Sequence, residues 1–501
     1  MTRPRFEPSP CSEPLEVPPL ASSWRPLISS PADFPLELFE IAVSQLIHHP
    51  EYNSTLILRS DTLAESTANF PPLVPVLDGL VALRNVHRLL LPRRPGRDAP
   101  LEQHCTLYGS DSVADTLLLT PIVAAGGSLP YYHPAVSHLA FRYIPTTLPT
   151  LRIEVVLLSP DDTPTDPGSR LYRTSLSLLD ALHRYGWGAL TNYKKRVQHD
   201  CVVPREPYQD LYLIMRERFK GLVDTWVEST DPLKHVFEDI GIATFLILLW
   251  KDTYPPLTVS DVPADEPWRG WGRPAGGFLD FGCGNGMLTH ILLACGYTGR
   301  GIDLRARNSW MTYPPHTQAR LQVDAFDPCV LAPGAEASVY TVPGQFVIAN
   351  HADELTPWAP LLATRAHASG FLSIPCCAWA FDVRFERGKA GAVDLFAGGA
   401  SSEDVELADL VTALNLGSDS AATSGYAQYR IWLARLSRHC GWAVECEVLR
   451  IPSTRNWALV GRRRIGSEEK VEANVDAILQ SVSERGIFKA RTPEGKGGKD
   501  H

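Results

Sequence analysis

The sequence predicts an α/β fold for its second half, and three observations carry that expectation. From Gly276 onward, short apolar runs alternate with helical segments, the pattern of parallel strands buried on both faces. One of those runs ends in a glycine-rich turn, FLDFGCGNG over 278–286, that opens directly into a helix. The last two runs, 444–450 and 457–461, are joined by the turn IPSTRN, too short for a crossover helix, so they are expected to pair antiparallel.

Taken in order, residues 1–30 are rich in proline and serine and read as a disordered arm. Over 31–160, β-rich runs such as 54–59, 116–120 and 153–158 alternate with turn signals around one expected helix, 35–47. This stretch reads as a smaller α+β domain. The segment SPDDTPTDPG, 159–168, is a linker by composition. A second domain is expected over 169–465, beginning with helical segments at 169–185, 205–228 and 235–250. The third of these is apolar nearly all round, as a helix packed on a sheet must be. Its strands are expected at 277–281, 299–303, 320–323, 345–349 and 371–374, before the closing hairpin. Residues 466–501 carry one weak helix and a Lys/Gly-rich stretch, and read as a largely disordered tail.

Composition narrows the function classes. The chain of 501 residues is 44% hydrophobic with a net charge of −9, which argues against wholesale coating of nucleic acid but leaves room for a local basic patch. Its 10 cysteines include no CxxC pair, so neither a zinc knuckle nor a redox dithiol is indicated, no metal is expected, and the compartment reads as reducing. The start of the chain has no apolar signal region. The longest apolar run, IGIATFLILLW, falls well short of the roughly 20 residues that a bilayer requires. A soluble, cytoplasmic protein without membrane contact is expected.

The chemistry concentrates at the expected strand ends. In D-x-G-x-G-x-G, Gly282, Gly284 and Gly286 let the backbone turn sharply and approach a ligand, with Asn285 between them. A pyrophosphate-binding loop prefers G-x-G-x-x-G. Here Asp280 stands two positions before the first glycine and suits a cationic ligand with an amino group, which favours S-adenosyl-L-methionine. Asp303 ends the next strand, where Rossmann-like sites place the acid that binds a ribose diol. Asp324 closes the strand after that and suits the adenine amino group, with Ala325 and Phe326 flanking the ring. A parallel sheet that ends in an antiparallel hairpin is the methyltransferase variant of the Rossmann-like architecture, class I.

The polar segment from Asn350 to Thr356 follows the next strand, where an acceptor would meet the methyl group; Asn350 is a further candidate contact to the cofactor. His351 or Asp353 can orient or deprotonate a hydroxyl there, against a plain helix-capping role for Asp353 or Thr356. Cys376 and Cys377 follow the next strand, either as a packed turn or as a thiolate for base methylation; no activating base is evident beside them. Basic residues cluster at Lys194-Lys195-Arg196, at Arg300, Arg305 and Arg307, and at Arg462-Arg463-Arg464. Arg305 and Arg307 lie just beyond the ribose acid, and Arg455 sits in the hairpin turn. These, with Lys194, Lys195 and Arg196, are the candidate RNA contacts.

FLDFGCGNGMLTHIL, GYTGRGIDLRARNSW, NHADELTPWAPLLA, FLSIPCCAW and IPSTRNW together resemble the eukaryotic tRNA (uracil-2′-O)-methyltransferases that act on position 44 of serine tRNAs. YKKRVQHDCVVPREPYQDLY and HVFEDIGIATFLILLW extend the resemblance upstream, so that it covers roughly 170–465, with a weaker echo in RRPGRDAPLEQHCTLY. The resemblance implies transfer of a methyl group from S-adenosyl-L-methionine to a ribose 2′-hydroxyl of tRNA, serine tRNA in particular, in the cytoplasm. The Lys-Asp-Lys-Glu tetrad of another 2′-O-methyltransferase class is not visible at the matching strand ends, which leaves His351 and Asp353, with a lysine from Lys194 or Lys195, as the candidates for moving the proton.

Overall fold

The computed structural model describes residues 2–12, 14–124, 127–158, 165–193, 197–259, 261–336, 338–381, 383–385, 411, 414–415 and 424–485. They belong to two compact units, Met1–Lys194 and Lys195–His501.

The first unit is built on strands β1 (Ser9–Pro10), β2 (Arg25–Pro31), β3 (Ile57–Ser66), β4 (Val81–Pro92), β5 (Leu101–Gly109), β6 (Thr116–Pro121), β7 (Val136–Ile144) and β8 (Thr150–Leu157). They form one antiparallel sheet in the order β1-β2-β8-β7-β6-β5-β4-β3. Helices α1 (Phe39–His48) and α2 (Arg170–Leu190) bury Phe39, Val43, Leu179 and Leu182 in the same core as Leu27, Phe141 and Ile153 of the strands. Ser169 caps α2, its hydroxyl accepting from the Tyr172 N–H at 3.1 Å.

Two expectations change here. The proline-rich start is not a loose arm, because β1 pairs with β2 and β2 with β8. The stretch between β1 and β2 is tied down as well: Arg152 donates to the Val17 and Pro18 carbonyls, and Glu154 accepts the Leu20 N–H. Composition missed this because proline is tolerated at a sheet edge, where its absent N–H costs nothing. The helical segment at 169–185, expected in the second domain, is α2 of the first unit, so the division falls near Lys194 rather than at the linker.

The second unit begins with α3 (Arg205–Phe219) and α4 (Pro232–Thr253). Asp231 caps α4 by accepting the Leu233 N–H at 3.0 Å, with Pro232 at the first helical position. Then come β9 (Phe278–Phe281), α5 (Met287–Ala294), β10 (Gly299–Asp303), α6 (Pro315–Gln318), β11 (Leu321–Val323), β12 (Phe346–Asn350), α7 (Trp358–Arg365) and β13 (Gly370–Ile374). A two-stranded ribbon, β14 (Trp379–Ala380) with β15 (Val383–Arg384), precedes α8 (Gly425–His439), β16 (Trp442–Val448), β17 (Trp457–Arg464) and α9 (Glu468–Arg485).

The main sheet has the order β11-β10-β9-β12-β13-β17-β16. Its first five strands are parallel; β17 runs antiparallel to both β13 and β16, as the short hairpin turn requires. Both faces are covered. Phe346 and Ile348 pack with Leu246 and Trp250 of α4, while Val347 and Ala349 pack with Trp358 of α7 and Leu433 of α8. This alternation is why the strands read as continuous apolar runs. The weak C-terminal helix is packed rather than loose: Val475, Ile478 and Val482 of α9 are buried in that second layer, and Val471 is buried as well. Among the described residues, no helix is long and apolar enough to cross a membrane.

Candidate active site

The site starts from the turn between β9 and α5. Gly282, Gly284 and Gly286 have φ of +83°, +54° and +75°, conformations that L side chains rarely adopt. Gly286 has a second constraint, since a Cβ there would meet the Leu321 side chain at 3.0 Å. Around Gly284 a Cβ would meet nothing within 4 Å, so at this position the need for glycine is conformational and leaves free space above the loop. The loop is braced from outside. Trp310 donates its indole N–H to the Gly284 carbonyl at 2.9 Å, Tyr313 donates to the Asn285 carbonyl at 3.1 Å, and the Asn285 side chain accepts the Met287 N–H.

Asp303, at the end of β10, accepts the Gly284 N–H on Oδ2 at 2.9 Å and the Arg305 N–H on Oδ1 at 3.2 Å. Each carboxylate oxygen has lone-pair capacity beyond one such bond, so the same acid can brace the loop and still accept from a ribose. Asp324 accepts the neighbouring Ala325 N–H on Oδ1. Phe326 is placed differently from expectation. Its ring is 6% exposed and packs edge-on against Phe281 and Tyr340, with centroids 5.0 Å and 5.4 Å away, so it belongs to the core and not to an adenine platform.

Beside the loop lies a cavity of about 400 Å³. On the cofactor side it is lined by Asp280, Gly282, Gly284, Asn285 and Asn350, joined by Asp239 of α4. Asp280 is fully buried; its Oδ2 accepts the Thr289 hydroxyl at 2.7 Å, while Oδ1 has no partner. Burial, with the Asp303 charge adding to it, pushes the Asp280 carboxyl up to about 7, against the Thr289 hydrogen bond. Burial and the charges of Glu238 and Asp280 also push Asp239 well above the carboxylate range, opposed by a 3.4 Å hydrogen bond from the Asn350 amide. The Asn350 carbonyl oxygen is itself buried without a partner. Orphaned buried acceptors are rare in native proteins. Gathered round one glycine loop, these fit a compact donor such as the ammonium of an amino acid, so the residues present fit the methionine end of S-adenosylmethionine.

On the other side the cavity is lined by Lys234, His235, Glu238, His351, Cys376 and Arg455. The His351 Nε2 lies 3.0 Å from Glu238 Oε1, and its Nδ1 is buried without a partner. His351 also adopts φ +52°, a strained backbone that holds the ring at the end of β12. Burial raises the Glu238 carboxyl, but the His351 hydrogen bond and charge, with Ser453 and Lys234, outweigh it and hold Glu238 below its ordinary value. Arg455 lies over the Tyr426 ring, 4.0 Å from its centroid. Asp353, the other candidate of this segment, is not among the residues lining this cavity, and its Oδ1 accepts from the Cys376 thiol at 3.1 Å.

The remaining expected contacts are spread out. Arg305 and Arg307 are exposed just past Asp303, whereas Lys194, Lys195 and Arg196 lie outside the described residues. The four lining residues on α4, Lys234, His235, Glu238 and Asp239, went unread in the sequence. The available signal was a pair of adjacent acids in a helix otherwise apolar enough to be buried, since charges in such a place are costly unless used.

Comparison with known proteins agrees with this division. A family model described as "TRM44-like, N-terminal bet v1-like domain" matches residues 5–196. A second, described as "Predicted AdoMet-dependent methyltransferase", matches 202–266 and 270–328. The chain is 33% identical to the tRNA (uracil-O(2)-)-methyltransferase of Schizosaccharomyces pombe, over 93% of this chain and 91% of that protein. The Neurospora crassa protein of the same name is also 33% identical, covering 90% and 89% of the two chains. That of Eremothecium gossypii is 30% identical over 95% and 97%. With relatives matched over nearly their whole length, the chain belongs to the tRNA (uracil-O(2)-)-methyltransferase family.

Proposed function

We propose that this protein transfers a methyl group from S-adenosyl-L-methionine to a ribose 2′-hydroxyl of tRNA, at uridine 44 of serine tRNA, and that it does so in the cytoplasm. The observation that carries the reading is the cavity, which brings the unpartnered oxygens of Asp280 and Asn350 beside the glycine loop together with the His351–Glu238 pair. The sheet order, five parallel strands followed by an antiparallel hairpin, supports a Rossmann-like class I methyltransferase domain. The relatives' printed name supplies the acceptor class.

S-adenosylmethionine, when bound, would supply an electrophilic methyl group for the 2′-oxygen, with sulfur as the leaving group that keeps the electron pair. The chain's own residues do the rest. Asp280, Asp239 and Asn350 hold the amino-acid end, Asp303 accepts from the ribose, and Asp324 with Ala325 meets the adenine. Gly282, Gly284, Asn285 and Gly286 shape the backbone beneath. His351, held by Glu238, orients the acceptor hydroxyl and takes its proton, worth about 10²–10⁴-fold in rate for a well-placed group. Arg455, Arg305 and Arg307, with Lys194, Lys195 and Arg196, hold the RNA by its phosphates.

The test is mass spectrometry of nucleosides from tRNA incubated with the protein and methyl-labelled cofactor. Labelled 2′-O-methyluridine, mapped to position 44 of serine tRNA, is the expected product. Label on a base, or on protein with none in RNA, would overturn the reading.

A further inference from the structure

β12 and β13 are parallel neighbours, with Asn350 paired to Ile374 at their carboxyl ends. Residues just past those two positions therefore emerge side by side, which brings Asp353 to the vicinal cysteines Cys376 and Cys377. The carboxylate oxygen and the two thiol sulfurs all lie within 4.8 Å of one another, and all three residues are partly buried. Cys376 Sγ is 3.1 Å from Asp353 Oδ1. We propose that Asp353, Cys376 and Cys377 form a binding site for a soft divalent cation, zinc by its chemistry, with one coordination position left open toward the cavity.

Bond lengths decide whether the three atoms suit such an ion. Zinc sits about 2.3 Å from a thiolate sulfur and about 2.0–2.2 Å from a carboxylate oxygen. Tetrahedral angles then place neighbouring ligand atoms roughly 3.5–3.8 Å apart by that geometry. The one short contact, 3.1 Å, lies just below this range and the remaining separations stay within 4.8 Å, so small side-chain rotations are enough. Two thiolates with one carboxylate select zinc over magnesium or calcium, which take oxygen ligands. Three protein ligands with an open fourth position match catalytic zinc sites, whereas structural sites close all four.

The surroundings supply a reason and a frame. A cation between the three ligand atoms would neutralise the negative charge that two thiolates and a carboxylate would otherwise crowd together there. The turn is anchored by Tyr426, whose hydroxyl donates to the Pro375 carbonyl at 2.6 Å. Asp353 is held toward the thiols at φ +44°, an unfavourable conformation for a residue with a Cβ. Cys376 also lines the cavity that holds His351 and Arg455, so the site borders that cavity and its open position has room there. On the methyltransferase reading, that is where the acceptor oxygen arrives; the cation site itself does not depend on that reading.

The experiment titrates the chelator-treated full-length protein with cobalt(II) alone, without RNA or cofactor. A thiolate-to-cobalt charge-transfer band saturating at one equivalent and displaced by zinc is the expected result. Cys376→Ser and Cys377→Ser should each weaken the band, and Asp353→Asn should lower zinc affinity. Cys201→Ser and Cys329→Ser, at the exposed cysteines, should leave the band unchanged. Because the first titration uses the unmodified chain, a variant that fails to fold does not decide the matter. No band in the wild type, or a band lost with Cys201 or Cys329 instead, overturns the site. A normal band in a protein that methylates no tRNA would remove the proposed function and leave the site standing.

Discussion

Buried charge is handled in opposite ways round Glu154 of the first unit and round the glycine loop of the second. Inside the antiparallel sheet of the first, Glu154 is fully buried, yet its Oε1 accepts from Arg142 at 2.7 Å and from Arg152 at 2.6 Å, and its Oε2 accepts a backbone N–H. Arg88, also buried, donates to the Leu46 and Ile47 carbonyls at the end of α1 and to the Gln103 side chain. In the second unit, Asp280 and Asn350 keep buried oxygens without partners, beside the buried acid Asp239. The difference teaches how to tell structure from site. Satisfied buried charge specifies a fold, and orphaned buried charge round a glycine loop marks a place for a ligand.

The comparison can be broken most directly at Glu154. Glu154→Gln leaves the buried Arg152 guanidinium and the partly buried Arg142 short of a counter-charge and should cost about 3–5 kcal/mol of stability, the usual scale for breaking a buried ion pair. Urea unfolding measures it, and a near-neutral result would make the network ornamental.

Asp280 should behave in the contrary manner. Its folded value of about 7 lies above the ordinary 3.8, so the folded state holds the proton more tightly. That contribution is complete below about pH 4 and is lost as pH rises through about 7, at roughly 4 kcal/mol for a shift of that size. Cofactor-free Asp280→Asn should therefore lose nothing at neutral pH and show a flatter decline in melting temperature from pH 4 to 8. S-adenosylmethionine should protect the wild type more than the variant. A variant with the wild-type pH slope would clear Asp280 of the effect.

Next in size is the acceptor side. His351→Ala should lower turnover by about 10²-fold, the lower range for losing an acid–base group, while cofactor affinity measured by calorimetry stays within error. A fall in affinity equal to the fall in rate would place His351 with the cofactor instead.

The smallest effect belongs to exposed charge. Replacing Arg305 and Arg307 by alanine should weaken tRNA binding evenly across sequences and flatten its salt dependence by roughly one unit of slope per arginine. An unchanged slope would make them a solvated face.

The strands of the second unit were legible within one or two residues at most ends, since each is a short apolar run stopped by its own turn signal. The positions of the loop glycines and of Asp280, Asp303 and Asp324 at or beside the strand ends were legible for the same local reason. The first unit was harder. Its eight strands pair wholly antiparallel, and the edge position of β1 appears only once β8 is known to lie beside β2. Phe326 was misread because the sequence places it next to Ala325 but says nothing of Phe281 and Tyr340, which claim its ring.

By itself, then, the sequence determined what each strand end carries: which turn is glycine-rich, which acids close the parallel strands, and that the last pair must reverse direction. Those facts follow from spacing along the chain, because strand period, turn geometry and connection length are local. Only the tertiary structure decided the partnerships. Glu238 meets His351 from 113 positions away, Asn350 meets Asp239 across 111, and Asp353 turns to Cys376 across 23. Each meeting depends on sheet order and on how α4 packs across the strands, and both are set by burying two apolar faces at once, which no single stretch of sequence records.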